Sequence, residues 1–282
     1  MLNAHDFTVS EIDITAFFEL AQQTEPPTFK TAVRLEHSRD VTFGADPLPE
    51  RARLGRRIFT YVFNDKISRD HQLACRSCHI DGADDGLVWM VGLGKRQTPA
   101  LARRLHDTAP SNWVGSEHKL QRNMDRTMGR MGGEGLDEVE LESLEEFLLI
   151  GLTAPPNPYL RPDGLTDQQV RGQTLFNDPQ VGCATCHMGN ALTDGRLHDV
   201  GTLSSLEHEV AQLAADLNAT PIQLPKFDTP SLRGLHASAP YLHDGSASTL
   251  YQMLKNTATT MGKTDHPTDT QRHDLVAYLL TL

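Results

Sequence analysis

The chain has 282 residues and a formal net charge of −11, and 38% of its residues are hydrophobic. That length accommodates about two ordinary domains. The acidic surplus argues against nucleic acid and anionic membrane surfaces as partners and favours the approach of a basic redox protein. With 6% aromatic residues and 21 glycines, two modest cores are expected, each filled in good part by a bound group, and no apolar run is long enough to cross a membrane.

Residues 1–45 read as a short irregular or β-prone extension. Between Met1 and Pro27 there is no basic start, no apolar run of signal length and no small-residue cleavage site. The stretch from Phe7 to Leu35, interrupted by Pro26-Pro27, is expected to be the remnant of an upstream β module, in a chain truncated from a longer protein.

All four cysteines fall in two copies of one motif, Cys75-Arg-Ser-Cys78-His79 and Cys183-Ala-Thr-Cys186-His187. Two thiols three positions apart can each add to one vinyl group of a haem, and the adjacent histidine supplies an axial nitrogen to the iron. Redox dithiols, an all-cysteine zinc site or a disulfide framework use the same cysteines, but none requires a histidine directly after both second cysteines. Two covalent haem c groups are therefore expected. Such attachment takes place outside the cytoplasm, so a periplasmic or otherwise extracytoplasmic location is expected with it.

The chain then repeats itself. Glu50-Arg-Ala-Arg-Leu-Gly55-Arg-Arg-Ile-Phe59 matches Asp167-Gln-Gln-Val-Arg-Gly172-Gln-Thr-Leu-Phe176, each an amphipathic helix just before a haem motif. Thr98-Pro99-Ala100-Leu101 answers Thr229-Pro230-Ser231-Leu232, and Ala109-Pro110 through Trp113 and Gly115 answers Ala239-Pro240 through His243 and Gly245. Each copy reaches Met-Gly sixteen residues past the shared glycine, at Met131-Gly132 and Met261-Gly262. Closing helices follow, with box-like caps at Asp137/Glu140 and Thr268/Gln271. Gly55 and Gly172 would let helices cross closely. The fold class is mostly α: two tandem c-type cytochrome domains, 46–157 and 158–282, each wrapping one covalent haem, with Pro155-Pro156-Asn157-Pro158 as linker.

The run Thr229-Pro-Ser-Leu-Arg233-Gly-Leu-His-Ala-Ser-Ala-Pro240-Tyr241-Leu-His243-Asp244-Gly245-Ser246, with the paired haem motifs, resembles the bacterial diheme cytochrome c peroxidase and MauG superfamily over about residues 50–282. The resemblance implies an oxidoreductase in which the first haem reacts with hydrogen peroxide and the second stores electrons received from a redox protein donor. It makes His79 and His187 the proximal ligands and the four cysteines the attachment points. Trp113 falls where the family has a tryptophan between the haems, an electron bridge on one reading and a loop anchor on the other. His243 and Arg233 are implied to hold haem propionates, or are ordinary loop hydrogen-bond partners.

For the second iron Met261 is the expected sixth ligand, because a thioether raises the potential. The family's ligand position falls on Thr257, four residues earlier, so one further helical turn would be needed to reach the same face. The stretch Leu87-Val88-Trp89-Met90 lacks the loop histidine that often holds the first iron. That iron is open, or ligated by Met131 through the internal symmetry, or by Met90. Of the residues expected to move protons on peroxide, Asn123 stands in the glutamine's place, ten past Trp113, and Glu134 one residue beyond the glutamate's. Calcium between the domains near Gln97 and Ser238, and a homodimer, are implied by the resemblance alone. The competing expectation is an electron carrier with both irons six-coordinate; a third is a haem module serving a lost upstream domain.

Overall fold

The protein was analysed as a computed structural model, which describes residues 2–3, 8–13, 36–42, 45–92, 94–217 and 226–282. The extension contributes β1 (Leu2–Asn3), β2 (Thr8–Asp13) and β3 (Glu36–Thr42), an antiparallel three-stranded sheet with β2 in the middle. Thr8, Val9 and Ile12 of β2 are β-branched, residue types that favour extended backbone. Phe7, Leu35 and Pro26-Pro27 lie outside the described residues.

Beyond the extension, the first half runs through α1 (Glu50–Thr60), the single turn α2 (Cys75–Cys78), a hairpin of β4 (Val88–Val91) and β5 (Gly94–Gln97), α3 (Leu120–Arg130) and α4 (Glu138–Glu146). The second half runs through α5 (Asp167–Asn177), a 3₁₀ turn at Cys183–Thr185, the short pair β6 (Leu197–His198) and β7 (Phe227–Asp228), α6 (Ser205–Asp216), α7 (Leu250–Asn256) and α8 (Asp269–Leu279). The repeat is structural: α1, α3 and α4 correspond in order to α5, α7 and α8. Isolated bridges also pair Ser111 with Glu117 and Tyr241 with Ala247. Gly132 and Gly262, after the two matched methionines, both turn left-handed at φ +75° and +79°. The β4–β5 hairpin belongs to the first copy and α6 to the second.

Local chemistry starts the paired helices. Asp137 accepts from the Glu140 amide while Glu140 reaches back to the Asp137 amide, both at 3.0 Å, and Thr166/Gln169 and Thr268/Gln271 repeat the exchange. Glycine then sets how closely they cross. A Cβ on Gly55 would overlap the Ser143 carbonyl and stand 2.7 Å from Phe147 Cβ. On Gly172 it would overlap the Asp274 carbonyl and stand 2.8 Å from Tyr278 Cβ. Two separate cores result. One gathers Ile58, Phe59, Met124, Met128 and Leu144, with Cys75 and Met131 packed against it. The other gathers Phe176, Leu250, Leu254, Leu275 and Tyr278, with Cys183 and Met261 against it.

Candidate haem sites and the seam between them

Each haem motif is one tight turn hung from the helix before it. His79 N donates to Cys75 O at 3.0 Å and His187 N to Cys183 O at 3.1 Å, which puts both sulfurs and the histidine on one short loop. The four cysteines are unbridged. Burial pushes the Cys75 thiol up to about 12 and the Cys183 thiol to about 11. Burial disfavours a free thiolate, and a thioether to a haem vinyl group carries no charge, so the buried sulfurs suit it. Burial also lowers the pKa of His79 and of His187, so both rings are neutral, as an axial ligand must be. His187 Nδ1 lies 3.2 Å from Leu192 O, which directs its proton there and leaves Nε2 for iron. The donor set fits covalent haem on both motifs. The repeated Thr-Pro-x-Leu acquires a reason too: the carbonyl of Pro99 faces the His79 ring and that of Pro230 faces His187.

The two expected methionines sit alike, each partly buried and packed against its own core. Met261 N donates to Thr257 O at 2.9 Å, so one turn does separate the two positions. Thr257 itself is 1% exposed and its hydroxyl is spent on Met253 O. Met90, on the β4–β5 hairpin, is 62% exposed. Glu134 is exposed, in a glycine-rich loop joined to Asp65 by its backbone amide. Asn123 accepts a hydrogen bond from Asn112, the residue before Trp113.

Between the halves lies a dense seam. Trp113 Nε1 donates to Gln97 O, Gln97 N donates to His243 O, both at 2.7 Å, and Asp228 N donates to Trp113 O at 2.9 Å. The Trp113 ring meets His243 edge-on, with centroids 6.4 Å apart, and His243 stacks on Phe227 at 3.9 Å. His243 is 2% exposed; Nδ1 lies 3.5 Å from Thr202 Oγ1 and Nε2 3.5 Å from Glu207 Oε2. Arg233 spends its donors on backbone, on Asn190 O in its own half and on Arg103 O and His106 O across the seam. Arg104 returns the contact with a hydrogen bond to Arg233 O. Ser238 Oγ donates to Asp84, and the side-chain Nε2 of Gln97 is buried with no hydrogen-bond partner among the described residues.

Three features of this region were missed in the sequence. Glu207 is buried beside Arg96 and His243. Asp194 and His198, 2.8 Å apart, converge with Cys186 into a cluster of metal-ligand type, whose sulfur a thioether would take. Asp228 is pushed up to about 7 by burial and by Asp194. An acidic residue four before a histidine, as in Asp194 and His198, was a readable signal; the other two contacts join distant segments and left none.

The family described as RoxA-like, cytochrome c-like matches residues 227–260. The chain is 30% identical to the hydrazine synthase subunit gamma of Kuenenia stuttgartiensis, over 97% of this chain and 88% of that one. It is 31% identical to the cytochrome-c peroxidase IdrP2 of Denitromonas iodatirespirans, over 73% of this chain and 72% of that one. The crystal structure of a MauG-like protein associated with microbial copper homeostasis shares the fold, with a TM-score of 0.58 and 22% identity over 84% of this chain and 89% of that one.

Proposed function

The chain belongs to the MauG and diheme cytochrome c peroxidase superfamily, and from that premise we propose that it is a two-haem oxidoreductase reducing hydrogen peroxide, or another small oxidant, at the haem of residues 46–157. The haem of residues 158–282 would relay electrons from a redox protein donor. Bound at the two motifs, haem iron supplies the electron transfer; reducing one peroxide to two waters consumes two electrons and two protons. Trp113 carries the proposal: a single indole ties the Gln97 strand of one half to the His243 loop of the other.

The chain's own residues take the following parts. His79 and His187 hold the irons by neutral imidazole, and Met261 is the second iron's other ligand, a soft donor suited to a storage site. Asn123 and Glu134 hold or move protons on the oxidant's side. Arg233 would hold a propionate with whatever donor its backbone contacts leave free, while the His243 nitrogens, expected to do the same, are turned to Thr202 and Glu207 instead. Calcium belongs to the same proposal, at the seam near Gln97 and Ser238, as do an extracytoplasmic location and a homodimer. No helix among the described residues is long and apolar enough to cross a membrane.

One observation favours the second reading, an electron carrier: Met131 stands against the first core as Met261 stands against the second. Spectra of the resting and half-reduced protein, with and without peroxide, separate the two. The enzyme reading expects a high-spin or peroxide-responsive first iron. Two low-spin irons that ignore peroxide in every state leave only the carrier, and Met131→Ala should then create a high-spin iron; an unchanged spectrum removes Met131 as a ligand.

A further inference from the structure

Glu207 is 2% exposed, yet it is charged: burial opposes ionisation, but hydrogen bonds from Ser204 and Arg96 outweigh it and hold the carboxyl below its usual range. Oε2 accepts from Ser204 N at 2.9 Å and Ser204 Oγ at 2.8 Å, which caps α6, and Oε1 accepts from Arg96 Nη1 at 2.9 Å. The remaining direction of Oε2 faces His243 Nε2 at 3.5 Å, long for a hydrogen bond, and no other described group bonds to that nitrogen. Room for the carboxylate is kept by Gly94, where a Cβ would stand 2.8 Å from Glu207 Cδ. Arg96 in turn lies over the Phe227 ring, 5.5 Å from its centroid, and Phe227 is the ring on which His243 stacks.

We propose that Glu207 is the positioning residue of the seam: its carboxylate draws the His243 proton to Nε2 and fixes the ring plane that meets Trp113. The inference deepens the electron-relay reading and rests on it for its consequence. An imidazole has one proton for two nitrogens, and which one carries it is set by the partner that accepts. Here Nε2 faces a buried anion and Nδ1 faces a hydroxyl at 3.5 Å that can donate as well as accept. The neutral ring therefore settles as the Nε2–H tautomer, with Thr202 donating to Nδ1. Burial keeps the ring neutral, against the pull of the Asp244 and Glu207 charges and with the help of the Arg96 cation.

The test is the ¹⁵N chemical shifts of the His243 ring in histidine-labelled holoprotein with both irons reduced, the signals assigned by their loss in His243→Gln. Wild type should show Nε2 protonated. In Glu207→Gln the charge is gone and, with the carbonyl oxygen kept on Arg96, the amide nitrogen replaces Oε2 and presents an N–H to the ring, so the two shifts should exchange; Glu207→Asp should retain the wild-type pattern. A protonated Nδ1 in wild type, or an unchanged tautomer in Glu207→Gln, overturns the proposal. Thr202→Val gives a second check that leaves the carboxylate intact: Nε2–H should persist, and a switch there would mean that Thr202 sets the tautomer. Trp113→Phe reports separately on the relay. If electron transfer between the haems is unchanged in that variant the relay reading fails, while the shifts still decide the role of Glu207.

Discussion

Replacing Gly172 by alanine should destabilise the protein, although alanine is the better helix former by about 1 kcal/mol. The added methyl would stand 2.8 Å from Tyr278 Cβ and overlap the Asp274 carbonyl. Carbon atoms rest about 3.8 Å apart, so α5 and α8 must separate by about 1 Å, a gap that forfeits a quarter to a half of the dispersion energy of each contact at the crossing. The obstacle is backbone, which cannot swing aside as a side chain can. Overpacking of this kind costs about 1–3 kcal/mol, and opening the crossing also pulls on the Phe176–Tyr278 ring contact at 5.4 Å and the paired Arg171–Asp274 hydrogen bonds. A net loss of about 1–2 kcal/mol follows, read as a lower urea midpoint of the holoprotein. Gly129 is the control, since it lies in α3 and an added methyl there would meet nothing within 4 Å; Gly129→Ala should stabilise by about 0.5–1 kcal/mol. If both variants move the midpoint in the same direction, the close-crossing argument is wrong.

Two further expectations concern the seam. Asp228, raised to about 7, binds a proton in the folded state that the unfolded chain has released, so its contribution to stability falls as pH climbs from about 4 through 7. The loss grows over that whole range and is reduced by solvent screening of this partly exposed carboxyl. Asp228→Asn should therefore gain over wild type as pH rises, and an equal midpoint difference at pH 5 and pH 8 would refute this. Arg233→Met removes four hydrogen bonds, two to Asn190 O within its own half and those to Arg103 O and His106 O that latch the halves; at about 0.5–1 kcal/mol net each, a loss of about 2–4 kcal/mol is expected, with unfolding splitting into two transitions. A single transition at the wild-type midpoint would show that the latch carries no load.

What could be read in the sequence was local or repeated. The haem motifs, the capping pairs at Asp137 and Thr268 and the crossing glycines announce themselves within a few residues, and duplication made each signal visible twice. Spacing also anticipated that Met261 lies one turn beyond Thr257. What escaped was made by contacts between distant segments. Arg96 and Glu207 are 111 positions apart and Arg104 and Arg233 129, so neither pair leaves a pattern in a single chain. The guanidinium of Arg233 illustrates the difference: its place in the motif pointed to a cofactor, while its hydrogen bonds go to three backbone carbonyls.

The repeat gives two similar helical cores, and differences between the copies gather where the copies meet. Trp113 and His243 occupy the same step of the repeat, three residues after an Ala-Pro, yet one is an indole and the other an imidazole. Gln97 binds both, giving its carbonyl to the one and its amide to the backbone of the other. Two of the unrepeated elements converge on the same place: the β4–β5 hairpin brings Arg96 and α6 brings Glu207. A buried charge pair of this kind is costly to assemble and gives little stability over a well-packed apolar contact. Its position against the His243 ring puts a charge at the seam that the repeated parts of the two halves do not supply.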